Sequence, residues 1–365
     1  MTETNQAVRE YIAFDSHKHY TLMERQDAQT GRTVQRRLEH QRGALCAGLR
    51  GSQPGTAVAV EATGNWYWIV GEIKAAGLRP LLVHPRQAKR MMGMINKTDK
   101  LDVHGLNRLQ QNGTLPTVWI PPADLRYLRE LTRTRLVLVA QRTRLKNRLL
   151  ATLAKHGLGI QGSDSFGAGA RKQWAELLPL LPPQTRFVTE QLLGQVDLLD
   201  EQIEQQAQRL ESLLVLTPAM QRLKSLPGVE SILTATIALE IGDVGRLATC
   251  QHLASHAGTT PRVASSGGKT RYGRLRADVN RYLKWAYVEA ANVVALQQGR
   301  WASRHVVPLD RRIAARRGHP KAIGAVARHL TEASFWVLSR NQDYREPVPG
   351  NHLGDPKPAA TRPGA

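Results

Sequence analysis

Apolar residues over roughly the first ninety positions fall in short runs or strict alternation. Beyond residue 96 they recur at helical spacing. Residues 11–15 form a β-type run that ends in an acid, Asp15. Residues 21–26 and 33–39 then alternate around Asp27-Ala28-Gln29-Thr30-Gly31, a segment with hairpin-turn chemistry. A helix is predicted over 40–50. Residues 56–61 are a second apolar run ending in an acid, Glu61. Gly64 and Asn65 open a helix that reaches Ala76 and is broken by Gly77; 79–84 is another strand, and Pro85 begins the next helical region. This order of elements predicts an α/β domain, a mixed sheet with helices packed on it.

Residues 96–102, Asn-Lys-Thr-Asp-Lys-Leu-Asp, open a further amphipathic helix with Thr98 as its N-cap. Asp99 and Asp102 are spaced i,i+3, which puts both carboxylates on one helical face. Acids in a first turn also suit the helix dipole, and an acid at a strand end is commonly just solvated. Four acids brought together are another matter. Asp15 and Glu61 would sit at carboxyl ends of strands, where open α/β sheets place their sites. Together with Asp99 and Asp102 they suit a two-metal site, with Mg²⁺ ions held by carboxylates and phosphate oxygens for an in-line phosphoryl displacement.

The remaining chain reads as helical. Residues 121–156, beginning at Pro121-Pro122, carry an apolar stripe (Leu125, Leu128, Leu131) and a series of cations that includes Arg126, Arg129, Arg133, Arg142 and Lys146. Such a run is usually a solvated face. With few acids to compensate it, a surface tracking a nucleic-acid backbone is equally supported. The Gly/Ser-rich stretch 157–169 marks a boundary. After Pro182-Pro183 comes a second long helix over 184–216, in which Leu192, Val196, Leu199, Ile203, Gln206, Leu210 and Leu213 form a heptad seam. That seam can pack against 121–156 or against a second protomer, and self-association is the favoured expectation. The domains drawn from this are 1–156, a linker and coiled-coil helix over 157–216, a mostly helical domain over 217–345, and a disordered tail from 346 to 365.

Composition narrows the function. Lys and Arg number 51 against 30 acids, a formal charge of +21, which calls for a polyanionic partner. No apolar run approaches the ~18 residues of a membrane-spanning helix, so the expectation is a nucleic acid rather than a membrane. Two cysteines, Cys46 and Cys250, exclude a disulfide framework and a cysteine-based zinc site. A reduced, cytoplasmic protein is expected, associated with the nucleoid.

Two short stretches add candidate chemistry. Residues 218–241 read as two short helices around Leu226-Pro227-Gly228-Val229, similar to a helix-hairpin-helix whose backbone N–H groups near Gly228 could hold a phosphate. Residues 257–262, Ala-Gly-Thr-Thr-Pro-Arg, are followed by Ser265-Ser266-Gly267-Gly268-Lys269-Thr270-Arg271 and Arg274, a flexible, electropositive loop. It is not a Walker A sequence, which excludes a P-loop ATPase. It can simply grip phosphate through Arg262, Lys269, Arg271 and Arg274, or one of its serines can act as a nucleophile at phosphorus. Chemistry alone leaves Ser265 and Ser266 both open.

At this point the chain resembles the DEDD transposases of the insertion-sequence one-ten family, serine recombinases guided by a bridge RNA. The resemblance rests on Asp15-Ser16-His17-Lys18, Glu61-Ala62-Thr63-Gly64, the 96–102 motif, and 257–262 followed by 266–271, in order over about residues 9–340. It implies a RuvC-like, ribonuclease H-type first domain in which Asp15, Glu61, Asp99 and Asp102 bind Mg²⁺, in all two ions. It also implies a composite site in which Ser266 attacks a DNA phosphodiester to give a phosphoserine linkage. The implied partners are a guide RNA, donor and target DNA, with Lys18 among the nucleic-acid contacts, and further copies of the chain, as dimer or tetramer. Two other functions stay open: a RuvC-like nuclease that uses water, and a non-catalytic RNA- or DNA-binding scaffold. Arg311 and Arg312, in a basic helical segment near the C-terminus, are assigned to RNA or DNA phosphates.

Overall fold

The computed structural model describes residues 8–93, 98–276 and 278–347. Asn96 and Lys97 of the third motif, and positions 348–365 of the tail, lie outside the described residues. The chain divides into two compact units, 1–120 and 121–365.

The first unit is α/β, as expected. Its elements are β1 (Glu10–Ser16), β2 (Tyr20–Asp27), β3 (Thr33–Glu39), α1 (Ala44–Gly48), β4 (Ala57–Glu61), α2 (Trp66–Ala75), β5 (Arg79–Val83), α3 (Pro85–Met92) and α4 (Asp99–Gln111). They build one five-stranded sheet in the order β3-β2-β1-β4-β5. The β1–β2 and β2–β3 pairs are antiparallel, while β4 runs parallel to both β1 and β5. The helix predicted over 40–50 shrinks to α1. Gly43 holds a left-handed φ of 83°, which stops the helix from starting earlier. His40 is turned instead to the sheet, its Nε2 2.8 Å from Thr21 Oγ1.

Strand alternation sorts the central strands onto two faces. Ile12, Phe14, Val58 and Val60 pack with Ile69 and Ile73 of α2. On the other face, Ala13 and Ala59 meet Val103 and Leu106 of α4. Two alanines there leave room for α4 to lie close. Glu24 of β2, wholly buried, ties the helix down, since its carboxylate accepts from Asn107 Nδ2 at 3.0 Å and lies 3.1 Å from His104 Nδ1.

Among its described residues the second unit is helical apart from one hairpin. Its elements are α5 (Ala123–Lys155), α6 (Ala168–Leu177), α7 (Pro183–Leu213), α8 (Pro218–Gln221), α9 (Ser231–Ile241), α10 (Cys250–Ala257), β6 (Pro261–Ser266), β7 (Lys269–Leu275), α11 (Arg281–Leu296), α12 (Val306–Arg317) and α13 (His319–Arg340). Helices α5 and α7 form a long antiparallel pair. Leu149 and Leu153 pack with Leu193 and Val196 at one end, and Leu125, Leu128 and Leu131 join Leu210 and Leu214 at the other. The heptad seam favoured above for a second protomer is therefore covered by the same chain. The connection over 156–182, which includes α6, lets the chain turn back so that α7 lies along α5, and Val196, Ile203 and Leu210 are buried without any partner copy. The seam also drifts at its end, where Leu213 is exposed and Leu214 takes its place. Helix α5, assigned from sequence to the first domain, packs in the second unit by this pairing.

Around α9, which is buried on every side from Leu233 to Ile241, α10, α11 and α13 close a second core. The turn before α9 enters this core rather than facing out. Gly228 is buried with φ 76°, and a Cβ on it would lie 2.3 Å from the Ala290 carbonyl oxygen. The glycine thus serves close packing against α11, and its backbone is covered where a phosphate was expected. Gly228→Ala should cost at least about 2 kcal/mol, from overpacking and a left-handed backbone. A thermal unfolding midpoint equal to wild type would refute that close approach. At the other end, Glu346, placed from sequence at the head of the tail, accepts from Arg304 Nη1 at 3.0 Å and from the His305 backbone N–H at 2.8 Å.

Candidate active site

Parallel pairing of β1 and β4 brings two of the four acids together by register. Phe14 lies opposite Val60, so Asp15 and Glu61 are neighbours one step further along both strands. They continue the Ala13 and Ala59 faces and so look toward α4. Thr98 caps that helix, its hydroxyl accepting from the Leu101 N–H, and Asp99 and Asp102 both occupy the first turn. Strand alternation and the helix start bring Asp15 and Asp99 together, while the cluster of possible metal ligands among the described residues includes neither Glu61 nor Asp102.

His17 sits at the centre of it. Its Nε2 is 3.2 Å from Asp15 Oδ2 and 3.2 Å from Asp99 Oδ2. Tyr20 donates its hydroxyl to the same Asp99 oxygen at 2.7 Å and stacks against the His17 ring, with the Arg37 guanidinium 3.8 Å above its own ring. Burial pushes the Asp15 carboxyl above the usual carboxylate range. His17 pulls it back, and the charges of Asp102 and Asp99 push it up again. The hydrogen bond to Asp99 likewise raises the Tyr20 phenol.

These donors fit a divalent cation. One atom each from Asp15, His17 and Asp99 lie within 4.8 Å of one another. Asp15 Oδ2 and His17 Nε2 are buried without a hydrogen bond to satisfy them, although they face each other. Oxygen donors of this kind select hard ions. His17 and Tyr20 went unnoticed as functional positions. The signal available for His17 was its i,i+2 spacing from Asp15, but Tyr20 gave none, because β2 is paired to β1 only through the sheet.

In the second unit the serine segment is an ordered β-hairpin, not the flexible loop expected. Gly267 and Gly268 both take positive φ, 56° and 75°, which gives the two-residue turn whose twist matches the strands. Cross-strand register pairs Ser266 with Lys269, Ser265 with Thr270 and Ala264 with Arg271. Ser266 thus shares a face with Lys269 and Arg271, whereas the Ser265 hydroxyl lies 3.4 Å from that of Thr270 on the opposite face. Arg262, Lys269, Arg271 and Arg274 are all exposed, as is Lys18 in the first unit.

Most cations assigned to nucleic acid on α5 are used inside the unit. Buried Arg129 donates to the Leu239 and Glu240 carbonyls at 2.7 and 2.9 Å, closing the C-terminal end of α9. Arg133 makes a two-pronged pair with Glu240, Arg142 pairs with Asp200, and Lys146 lies 4.9 Å above the Phe166 ring. Arg126 is half-buried. Their helical spacing gave no hint of these partners, which come from α7, α9 and the α5–α6 connection. On α12, Arg311 and Arg312 are exposed, with Arg311 donating to Gln298 at 2.8 Å.

An α/β unit with acids at adjacent strand ends is followed by a helical unit bearing an exposed serine hairpin, and a transposase family model matches residues in each unit. Residues 12–157 match the DEDD transposase family of IS110, described as "Transposase". Residues 220–306 match the "Transposase IS116/IS110/IS902 family". The chain belongs to the IS110 family of DEDD transposases. It is 25% identical over 255 residues to "Transposase for insertion sequence element IS1328" of Yersinia enterocolitica, covering 68% of this chain and 75% of that protein. It is 24% identical over 299 residues to "Transposase for insertion sequence element IS1111A" of Coxiella burnetii, 79% of each. With a protein of Sinorhizobium fredii the identity is 26% over 231 residues, 63% of this chain, and the match spans 56% of that relative's length. The family suggests use of a divalent metal, and among the described residues no helix is long and apolar enough to cross a membrane.

Proposed function

We propose that this protein is an RNA-guided DNA recombinase whose first unit is a RuvC-like metal site and whose nucleophile is Ser266. The observation that carries the metal-dependent part is the meeting of Asp15 and Asp99 on one point, from a strand end and a helix start. Asp15, Asp99, Asp102 and Glu61 would hold the ions, probed as Mg²⁺. When bound, such ions supply charge stabilisation to a phosphoryl group under displacement. His17 and Tyr20 orient Asp99.

The Ser266 Oγ–P bond forms as the bond from phosphorus to one sugar oxygen breaks. The serine proton passes to solvent or a neighbouring base, and the departing sugar oxygen takes up a proton. Attack of a free sugar hydroxyl on the phosphoserine reverses the step and reseals DNA, so no nucleotide cofactor is consumed. Lys269 and Arg271, on the Ser266 face, favour an ionised serine and a phosphate beside it. Guidance by RNA rests on the family resemblance and on the +21 charge. Base pairing would then choose the sequence while the protein reads backbone and shape.

The test is a covalent-adduct assay on a denaturing gel, with the full chain, Mg²⁺, RNA transcribed from the element's flanks and end-labelled target DNA. An adduct lost in both Ser266→Ala and Asp102→Ala, but retained in Ser265→Ala, is the expected result. Free DNA ends that persist in Ser266→Ala would promote the water-using nuclease, and RNA binding without any cleavage would promote the scaffold.

A further inference from the structure

At the base of the serine hairpin, a groove of about 840 Å³ opens between β7, α12 and α13. That is within the roughly 300–1,000 Å³ typical of sites that enclose a small organic group. Pro261, Leu275, Ile313 and Pro320 give it apolar walls, and Arg274, Arg317, Lys321 and Arg328 stand around it with no acid among the lining residues. Arg328 is paired with Glu332; among the described residues no ion pair is recorded for the other three. Tyr272, on the hairpin and 69% exposed, turns a large aromatic face to solvent beside the groove. Gly324, within the continuous helix α13, lines the groove where alanine would serve a helix better, and no close neighbour demands it, since a Cβ there would meet nothing nearer than Leu275 at 3.9 Å.

We propose that this groove receives one unstacked nucleotide of the DNA strand engaged by the Ser266 hairpin. The cations select a polyanion, but apolar walls and an aromatic face give nothing to duplex DNA, whose base faces are already stacked within the helix. They reward a base that has left the stack. Phosphates flanking that base lie against Arg274, Arg317 and Lys321, while its face packs on Tyr272 and Ile313. The choice of DNA rests on the proposed serine chemistry, which places a DNA strand at this hairpin.

Equilibrium binding of the full chain is measured by fluorescence anisotropy at 200 mM salt, against a single-stranded DNA, the same sequence as blunt duplex, and the same sequence as single-stranded RNA. Tyr272→Ala, an exposed position that tolerates truncation, and Gly324→Leu, which fills the groove while keeping a good helix former, are each expected to weaken single-stranded DNA binding about tenfold. Duplex affinity should stay within about twofold. Equal loss on both DNAs, no loss on single-stranded DNA, or loss confined to RNA each overturns the proposal. Anisotropy is read without Mg²⁺ and needs no strand cleavage, so a missing covalent adduct and a missing single-strand preference are separate failures.

Discussion

Asp15→Asn should abolish Mg²⁺-dependent strand cleavage while making the protein more resistant to heat. Loss of one carboxylate from a metal-held phosphoryl-transfer site removes several kcal/mol of charge stabilisation, or about 10³-fold in rate. The stability gain follows from the direction in which Asp15 titrates. Burial, opposed by His17 and reinforced by Asp102 and Asp99, holds its carboxyl above the ordinary value of 3.8. The folded state therefore binds that proton more tightly than the unfolded chain does. The resulting stability is fully present below the ordinary value and is lost as pH rises through the raised one. Above the raised value the wild type carries an ionised carboxylate held by burial beside Asp99 and Asp102, and asparagine removes that charge. Melting in EDTA should show a higher midpoint for the variant, whereas added Mg²⁺ should raise only the wild type. Cleavage at the wild-type rate, or a lower midpoint in EDTA, would refute the assignment.

Glu240→Ala should be the most damaging single change in the second unit, by about 3–5 kcal/mol. Glu240 is fully buried, and its carboxylate accepts from Arg133 Nε and Nη2 at 2.6 and 2.9 Å and from Asn280 Nδ2 at 2.8 Å, with Arg129 close by. Truncation strands two cations against α9 with no counter-charge. His256 cannot relieve or worsen this at neutral pH, because burial, Arg246 and Arg129 push it down to about 4 and keep it uncharged. Burial alone would raise the Glu240 carboxyl, but the Arg133 hydrogen bonds and charge, Asn280 and Arg129 more than offset it and hold it below 4.5. Its stabilisation is therefore present above that ordinary value and is lost as pH falls through the depressed one. Denaturant titrations at neutral and strongly acid pH should show the wild type approaching the variant in acid. A loss below ~1 kcal/mol at neutral pH would show that the cluster does not hold the unit together.

Local patterning was enough for most elements of the first unit and for the long helices, though not for the β6–β7 hairpin. Alternation around Asp27–Gly31, the acid-ended runs at Asp15 and Glu61 and the i,i+3 pair at Asp99 and Asp102 are properties of consecutive residues, so they could be read directly. The candidate acids that followed from them were legible for the same reason: strand alternation and helical period are fixed within a few residues of each acid.

What the sequence could not reveal depends on partners distant along the chain. Tyr20 reaches Asp99 across 79 positions, and Arg129 caps α9 from 110 positions away. A basic helix face reads alike whether it awaits a phosphate or the carbonyls of another helix, and only packing distinguishes the two. The same holds for the α7 seam, which α5 covers, and for Gly228, which is spent on the Ala290 backbone. Ser265 and Ser266 were equivalent as chemistry, and the hairpin separated them by turning alternate residues to opposite faces. From sequence alone came the α/β order of the first unit, the long helices of the second and the expectation of an acidic site and a polyanionic partner, all read from near-neighbour spacing and net charge. Tertiary structure alone decided which cations face outward, which serine shares a face with Lys269, and that His17 lies between two acids, because those outcomes depend on how separate elements pack.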